Sequence, residues 1–214
     1  MIRFVVFLFF AAALWLTVEY WPWRAIRHAP GVLVAKEPVQ VMIPEKLLPK
    51  RDHYEIHAVA TYDITARILS TKRYFSLPGN DLVPIDVAVG WGRMSDQAVL
   101  DRLSISQGNR FFFYEWWNSP PIPQSEIACH AANMHLIAAD SEVASSIRGL
   151  RTGQVADLRG YLVNVTGPEG FSWRTSLSRT DTGNGACELF YVEEIQDVPV
   201  VEKAPAGPAL SRLP

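Results

Sequence analysis

The sequence predicts a mainly β domain of the α+β class, folded as a small antiparallel barrel or a curved sheet. Three observations favour this class. One long segment alternates apolar and polar residues with a period of two, and several shorter segments combine β-favouring residues with turn residues at their ends. Only two short segments carry helix caps. Mostly antiparallel strands with few helices usually curve around a single core.

The longest strand candidate is YEIHAVATYDITARIL, residues 54–69. Its apolar and small side chains share one parity: Ile56, Ala58, Ala60, Tyr62, Ile64, Ala66 and Ile68. Because successive side chains of a strand point to opposite faces, this pattern buries one face. The length indicates one bent or bulged strand, or two strands in succession.

Five further segments are predicted as strands. Aromatic residues of RFFFYEWW lie on both faces, and Pro84 places the start of its own segment at a sheet edge or strand end. The last two segments are joined by RTDTGNG, whose residues suit a turn. In chain order these segments are 82–92, 110–117, 154–165, 171–178 and 186–195.

Two short helices are predicted between the strands. In 95–103, SDQAVLDRL, Ser95 is the expected N-cap. In 140–150, Asp140 or the serine after it is the expected cap, and Gly149 lies near the end. Both helices should pack on the sheet.

Glycines in the C-terminal strands carry a fold resemblance. Gly153 begins a strand, Gly160 lies within it, and Trp173 and Cys187 lie in the strands that follow. A glycine inside a strand often marks the bend that lets a small barrel close. This arrangement resembles the opening of OB-fold barrels. The resemblance implies an OB-like barrel and, by itself, no function.

The N-terminal segment is predicted to be a membrane anchor. Residues 4–18, FVVFLFFAAALWLTV, are uncharged, and Tyr20, Trp21 and Trp23 follow like an interfacial aromatic belt. The run suits a signal peptide or a short transmembrane helix, and a buried core helix is the alternative. Because no small-x-small cleavage site ends the run, we predict a retained transmembrane signal anchor at residues 1–24.

The location of the soluble part follows from the layout rather than from charge. Arg3 before the apolar run and Arg24 and Arg27 after it nearly balance, so the positive-inside rule sets no orientation. N-terminal anchors that precede one soluble domain usually deliver that domain across the membrane. We therefore predict a single-pass protein of the inner (cytoplasmic) membrane with a periplasmic domain.

The rest of the chain divides into three parts. Residues 25–52 mix prolines, lysines and short apolar runs and are predicted as a tether, with one possible strand at VQVMI. Residues 53–197 form the mainly β globular domain. Residues 198–214 are rich in Pro and Ala and are predicted as a disordered tail.

Charge argues against nucleic acid as a partner. The formal net charge is −2, whereas a broad nucleic-acid surface needs clustered Lys and Arg that displace counterions from phosphates. The membrane, through the N-terminal helix, and an envelope protein are the expected partners. No cofactor is predicted.

The segment CHAANMHL, residues 129–136, holds the candidate catalytic residues His130, Asn133 and His135. Zinc needs three or four converging ligands, and the two histidines have opposite parity on a strand or about 140° of separation on a helix. No serine lies in a Gly-x-Ser-x-Gly elbow. We interpret the segment as an irregular stretch that enters the helix at 140, and we predict no metal site.

The cysteines are a disulfide candidate. A Cys129–Cys187 bridge would close a loop of nearly sixty residues, and chain entropy gives such a bridge a stabilisation of about 4 kcal/mol. The alternative is two buried free thiols that pack as small hydrophobes.

Aromatic residues beside arginines supply candidate binding residues. Trp, Tyr and Arg are enriched at binding hot spots, and aromatic faces beside Arg suit a sugar or peptide, although aromatic residues on strands are most often core. The candidates are Trp91, Arg93, Arg110, Tyr114 and Trp116.

The leading functional hypothesis is a membrane-anchored extracytoplasmic domain that binds or scaffolds another component of a bacterial envelope. Anchor, tether, compact domain and loose tail, without a catalytic signature, favour it over an enzyme. The alternative is an envelope hydrolase or metalloenzyme centred on His130, Asn133 and His135. A third possibility is an OB-like domain that binds an oligosaccharide or oligonucleotide through Arg93 and Arg110.

Overall fold

The computed structural model describes residues 24–76, 79–178, 181, 183 and 185–200. The predicted anchor, apart from its last residue, and most of the predicted tail lie outside these residues. Within the described part of the chain we find no helix with the length and apolarity that a bilayer crossing requires.

The described residues are mainly β, which confirms the predicted class. Strands outnumber helices, and each helix is short. The elements are β1 (Val39–Leu47), β2 (Glu55–Arg73), β3 (Ile85–Gly90), α1 (Gln97–Leu100), β4 (Leu103–Gly108), β5 (Phe111–Trp116), α2 (Gln124–Cys129), β6 (Ala131–Ala138), α3 (Ser141–Gly149), β7 (Val155–Thr166), β8 (Ser172–Trp173) and β9 (Glu188–Asp197).

Seven strands form one curved sheet whose pairings run in a ring. β2 pairs antiparallel with β3, and β3 pairs antiparallel with β6. β6 pairs parallel with β9, and β9 pairs antiparallel with β7. β7 returns to β2, so these five strands enclose a common interior. β1 and β8 extend the sheet at β2 and β7, while β4 and β5 form a separate hairpin.

The main core draws apolar side chains from all five ring strands and from α3. Tyr62 and Phe190 are fully buried and meet edge to face, with ring centroids 5.1 Å apart. Burying a large apolar side chain contributes about 1.5–3 kcal/mol. On β6, Met134 and Leu136 belong to this core, so the alternate residues Asn133 and His135 point to the other face.

A separate apolar cluster lies beneath the β4–β5 hairpin. The half-buried side chains of Ile105, Phe112 and Tyr114 pack on buried Met94 and Ile127. The hairpin therefore covers part of the sheet with one face and exposes the other.

The prediction for residues 129–140 was wrong in its secondary structure. Helix α2 ends at Cys129, and strand β6 follows, where we expected an irregular stretch. Five consecutive residues of β6, Asn133 to Ile137, are buried. Both faces of this strand are covered, so the alternation that identifies a half-buried strand does not appear.

The helix predictions were correct in part. Three α-helices are present among the described residues instead of two. The Asp140 side chain caps α3, and Gly149 ends it, as predicted. Within the 95–103 segment the α-helix is limited to α1, whose cap is Asp96 rather than Ser95. The Ser95 hydroxyl instead accepts hydrogen bonds from backbone N–H groups of residues 33 and 34.

Part of the segment predicted as a tether packs on the domain. The strand suggested at VQVMI is β1, which pairs with β2. Val34 is buried in the main core, and the Gly92 amide donates to its carbonyl oxygen at 2.8 Å. Of the predicted strand at 171–178, only Ser172–Trp173 is extended and paired.

Candidate functional site

A buried charged cluster lies on the outer face of the ring, between β3 and β6. Asp86 of β3 stands directly opposite His135 of β6 in the antiparallel register. The Asp86 side chain is fully buried and that of His135 nearly so, with 2.9 Å between Asp86 Oδ1 and His135 Nδ1. The two atoms are in close contact, but they lack the alignment of a hydrogen bond.

Arg110 supplies the positive charge of this cluster. It follows Asn109 in the β4–β5 turn, where both residues have positive φ. Its Nη1 donates to Asp86 Oδ1 at 2.7 Å and to the Val83 carbonyl oxygen at 2.9 Å. A carboxylate as deeply buried as Asp86 is tolerated only when a charged partner offsets its desolvation.

Two aromatic rings enclose the Arg110 guanidinium. Its central carbon lies 4.4 Å from the centroid of Tyr74 and 5.4 Å from that of Trp173. The Trp173 ring also packs against His135, with centroids 4.7 Å apart. Trp173 therefore covers both side chains that contact the Asp86 carboxylate.

Several buried polar atoms of the cluster have no hydrogen-bond partner among the described residues. Among them are Asp86 Oδ2 and Arg110 Nε and Nη2. Buried polar atoms are normally paired. Nε and Nη2 form one edge of the guanidinium, so Arg110 retains unused hydrogen-bonding capacity.

A cleft of about 520 Å³ opens beside the cluster. Its walls combine aromatic rings with two arginines and one thiol. The residues that line it are Asn109, Arg110, Phe111, His135, Phe171, Ser172, Trp173, Arg174, Gly185 and Cys187. Arg174 is exposed, so it presents its charge at the surface of the cleft.

Another cleft, of about 340 Å³, lies between α3 and the segments around Arg51 and Asp81. The Arg51 guanidinium donates there to the backbone carbonyls of Ala138 and Ala139. Its charge is thus already engaged with the backbone, and we regard the cleft at Trp173 as the stronger candidate site.

Asn133 and Cys187 connect the cluster to the hairpin. The Asn133 side chain donates to the Arg110 carbonyl oxygen at 2.9 Å and accepts from Gln107 Nε2 at 2.7 Å. Asn133 Nδ2 also lies 3.8 Å from Cys187 Sγ. Burial raises the pKa of the Cys187 thiol to about 11. Cys187 and Cys129 are both unbridged in the structure.

The structure brings together two of the three predicted catalytic residues. Asn133 and His135 share one face of β6, whereas His130 follows α2 and lies elsewhere. His130 Nδ1 is 2.9 Å from the Glu126 carbonyl oxygen, and its Nε2 is 3.1 Å from Glu37 Oε1. No group of three or more metal-binding side chains occurs within the described ranges.

The predicted binding residues do not form one groove. Trp91 is buried and donates to Glu37 Oε2 at 2.7 Å, and Arg93 Nη1 pairs with Glu126 at 3.1 Å. Tyr114 and Trp116 stack on one another along the hairpin. Of the five candidates, only Arg110 lines the cleft.

Sequence reasoning missed Asp86, Tyr74, Trp173 and Arg174 as site residues. One signal was available: Asp86 is the only charged residue in IDVAVG, where it interrupts an otherwise apolar strand. A buried carboxylate needs a partner, so this position pointed to a polar site on β3.

Comparisons with family models, with curated proteins and with solved structures gave no match to the chain. The site must therefore be interpreted from its own geometry.

Proposed function

We propose that the ring is an OB-like barrel and that the chain is a binding protein anchored in the inner membrane, with its domain in the periplasm. OB-folds bind ligands on the face of their second and third strands and through the loops that follow the first and fourth strands. The corresponding parts here are β3, β6 and the segments 74–84 and 167–187. Of these parts, β6 and the segment 167–187 contribute residues to the walls of the cleft, which supports the assignment.

The observation that carries the proposal is the cleft beside the Arg110–Asp86–His135 cluster, which Trp173 and Arg174 line. Its volume of about 520 Å³ suits a small ligand or one end of a longer ligand. Aromatic rings stack on the apolar faces of sugars, and arginines bind carboxylates through paired hydrogen bonds. We infer that the ligand is an acidic saccharide of the envelope.

Replacement of Arg174 by glutamine is expected to weaken binding of an acidic saccharide by about 10–100-fold, because a charge-assisted hydrogen bond is lost. Trimeric galacturonic acid is the probe, titrated against the purified full chain while tryptophan fluorescence is followed. Arg93→Gln is the matched control, since Arg93 is also exposed but pairs with Glu126 outside the cleft. Equal losses in the two variants, or equal affinity for neutral maltotriose, would contradict the proposal.

The anchor and the envelope partner belong to the same proposal. The apolar run at 4–18 and the aromatic residues after it support retention in the membrane. A fusion of alkaline phosphatase to the C-terminus tests the topology, because this enzyme is active only outside the cytoplasm. An inactive fusion would place the domain in the cytoplasm.

A hydrolase is the second candidate, favoured by one observation. His135 pairs with buried Asp86 and lines the same cleft as the Cys187 thiol. Such a set provides a nucleophile, a base and a group that orients the base. His130 lies outside this set, and Asn133 contacts the thiol only as a neighbour.

The reactivity of Cys187 separates the two candidates. Its pKa of about 11 in the folded chain, against 9.0 for an ordinary thiol, predicts that iodoacetamide modifies it about 100-fold more slowly at pH 8 than in the urea-unfolded chain. Peptide mass spectrometry distinguishes it from Cys129. Faster modification in the folded chain would indicate an activated nucleophile and favour the hydrolase.

A further inference from the structure

We propose that the domain docks directly on the lipid bilayer through the end of the β4–β5 hairpin that carries Trp116 and Trp117. This inference rests on the anchor in the proposed function. In this arrangement the domain is not loosely tethered but has a fixed orientation on the membrane. The cleft then faces away from the membrane.

The chain is fixed to the domain soon after the apolar run. The Ile26 amide donates to the Thr152 carbonyl oxygen at 2.8 Å. Arg27 Nη2 contacts both carboxylate oxygens of Asp101, at 2.8 and 2.9 Å. His28 Nε2 lies 2.8 Å from the Gly153 carbonyl oxygen.

The packing at this junction is tight. A Cβ added at Gly153, whose φ is +90°, would overlap the backbone carbonyl of Ile26. Only glycine therefore allows the two backbones to approach so closely. The segment that leaves the predicted anchor is thus seated against the domain at residues 26–28.

The chain between the anchor and this junction is short. Trp23 and Ile26 are three residue steps apart, and an extended chain spans at most about 3.6 Å per step, or about 11 Å in total. If Trp23 lies at the level of the lipid headgroups, as interfacial tryptophans do, the domain surface around Thr152 lies within roughly 15 Å of that level.

This end of the domain exposes a large aromatic side chain. Asp101 lies just before β4, whose first residue, Leu103, pairs with Trp116 at the end of β5. Trp117 follows and is 85% exposed. A shallow surface cleft runs from Asp101 to Trp117. An exposed indole is favoured at the bilayer interface, where its apolar ring and its N–H group are both accommodated.

The hairpin also determines on which side of the domain, relative to the bilayer, the ligand cleft lies. β4 runs from Leu103 near the junction to Gly108 beside the turn that holds Arg110. Five residue steps of about 3.3 Å separate these ends by about 17 Å. The cleft therefore lies at the end of the hairpin that faces away from the bilayer, where a ligand of the envelope has access.

The test measures the lipid contact of Trp117 in the full chain, reconstituted in vesicles of phosphatidylcholine and phosphatidylglycerol. Trp117→Cys, in a background with Cys129→Ser and Cys187→Ser, carries a bimane fluorophore that doxyl lipids quench. Phe75→Cys in the same background is the matched control. Phe75 is also 85% exposed, and it follows Tyr74, whose hydroxyl accepts a hydrogen bond from the Arg110 amide at the cleft end.

We expect quenching at position 117 to exceed that at position 75 by about threefold or more. In the proposed orientation only position 117 lies at the bilayer interface, where tryptophan is favoured. Hydrogen exchange of the unsubstituted chain provides a second measurement. Because this chain carries no substitution, a folding defect of the variants does not affect the result. Amides 115–119 should exchange more slowly in vesicles than in detergent, at every ratio of protein to lipid.

The other results have distinct meanings. Equal quenching at both positions, in a chain that resists carbonate extraction, would overturn docking and leave the anchor and the binding function intact. Release of the chain by carbonate would overturn the anchor and docking together. Protection of 115–119 that rises with the ratio of protein to lipid would show that a second copy covers Trp117 and would overturn lipid docking.

Discussion

Replacement of Arg110 by methionine is expected to lower the free energy of unfolding by about 3–5 kcal/mol. Asp86 is fully buried and takes its strongest contact from Arg110 Nη1 at 2.7 Å. Methionine has a comparable length but no charge, so the variant leaves a carboxylate in an apolar site without its cation. Urea denaturation at pH 7, followed by far-UV circular dichroism, measures the change.

Two controls assign this loss to the buried charge. Arg93→Met removes a partly exposed pair with Glu126 and should cost about 0–1 kcal/mol. Asp86→Asn introduced together with Arg110→Met removes the unpaired charge and should recover part of the loss. A change below about 1 kcal/mol for Arg110→Met alone would mean that Asp86 is protonated or hydrated without Arg110.

Among the strands that sequence reasoning found, β2 has one fully covered face, whereas all six residues of β3 are buried. In β2, the alternation from Ile56 to Ile68 follows directly from the burial of alternate side chains. The aromatic strand β5 was found for a related reason, since β-favouring residues tolerate its half-buried position. Alternation of apolar and polar residues identifies a strand when one of its two faces contacts solvent.

The missed elements depend on tertiary contacts. Strand β6 has buried residues on both faces, since Met134 joins the main core and His135 joins the charged cluster. Strand β4 alternates but is short and lacks β-branched residues apart from Ile105. Propensity within a local window carries little information about such segments, because packing from distant parts of the chain decides their structure.

The site was only partly predictable for the same reason. Arg110, Asn133 and His135 were identified as chemically notable residues, and the structure brings them together with Asp86. Their assembly depends on the register of β3 with β6 and on the reach of the hairpin turn. Neither is encoded by spacing along the chain, so His130 could not be separated from His135 by sequence alone.

Gly160, the glycine within β7, was the sequence feature that pointed to a closed, OB-like arrangement. Its backbone conformation and its close neighbours make this position sensitive to substitution. Gly160 has a φ of +155°. It pairs with Tyr62 of β2 on one side and with Val192 of β9 on the other, at an irregularity in the β7–β9 register. A Cβ at this position would overlap the backbone carbonyl oxygen of Tyr191.

Gly160→Ala is expected to lower the free energy of unfolding by about 2–4 kcal/mol, because backbone strain and steric overlap act together. Gly108→Ala is the matched control: no atom lies within 4 Å of a Cβ built there, and its φ is not positive, so a change within about 1 kcal/mol is expected. Chemical denaturation of both variants compares the two glycines.

Because Gly160 lies in the strand that joins β2 to β9, its replacement tests how the ring of strands closes. A shift forced at Gly160 loosens both pairings of β7. Hydrogen exchange should then rise in β2, β7 and β9 of Gly160→Ala and remain unchanged in the β4–β5 hairpin, which pairs outside the ring. A variant as stable as the parent would show that β7 closes the ring without the bend, and the glycine would then lose its value as a sign of barrel closure.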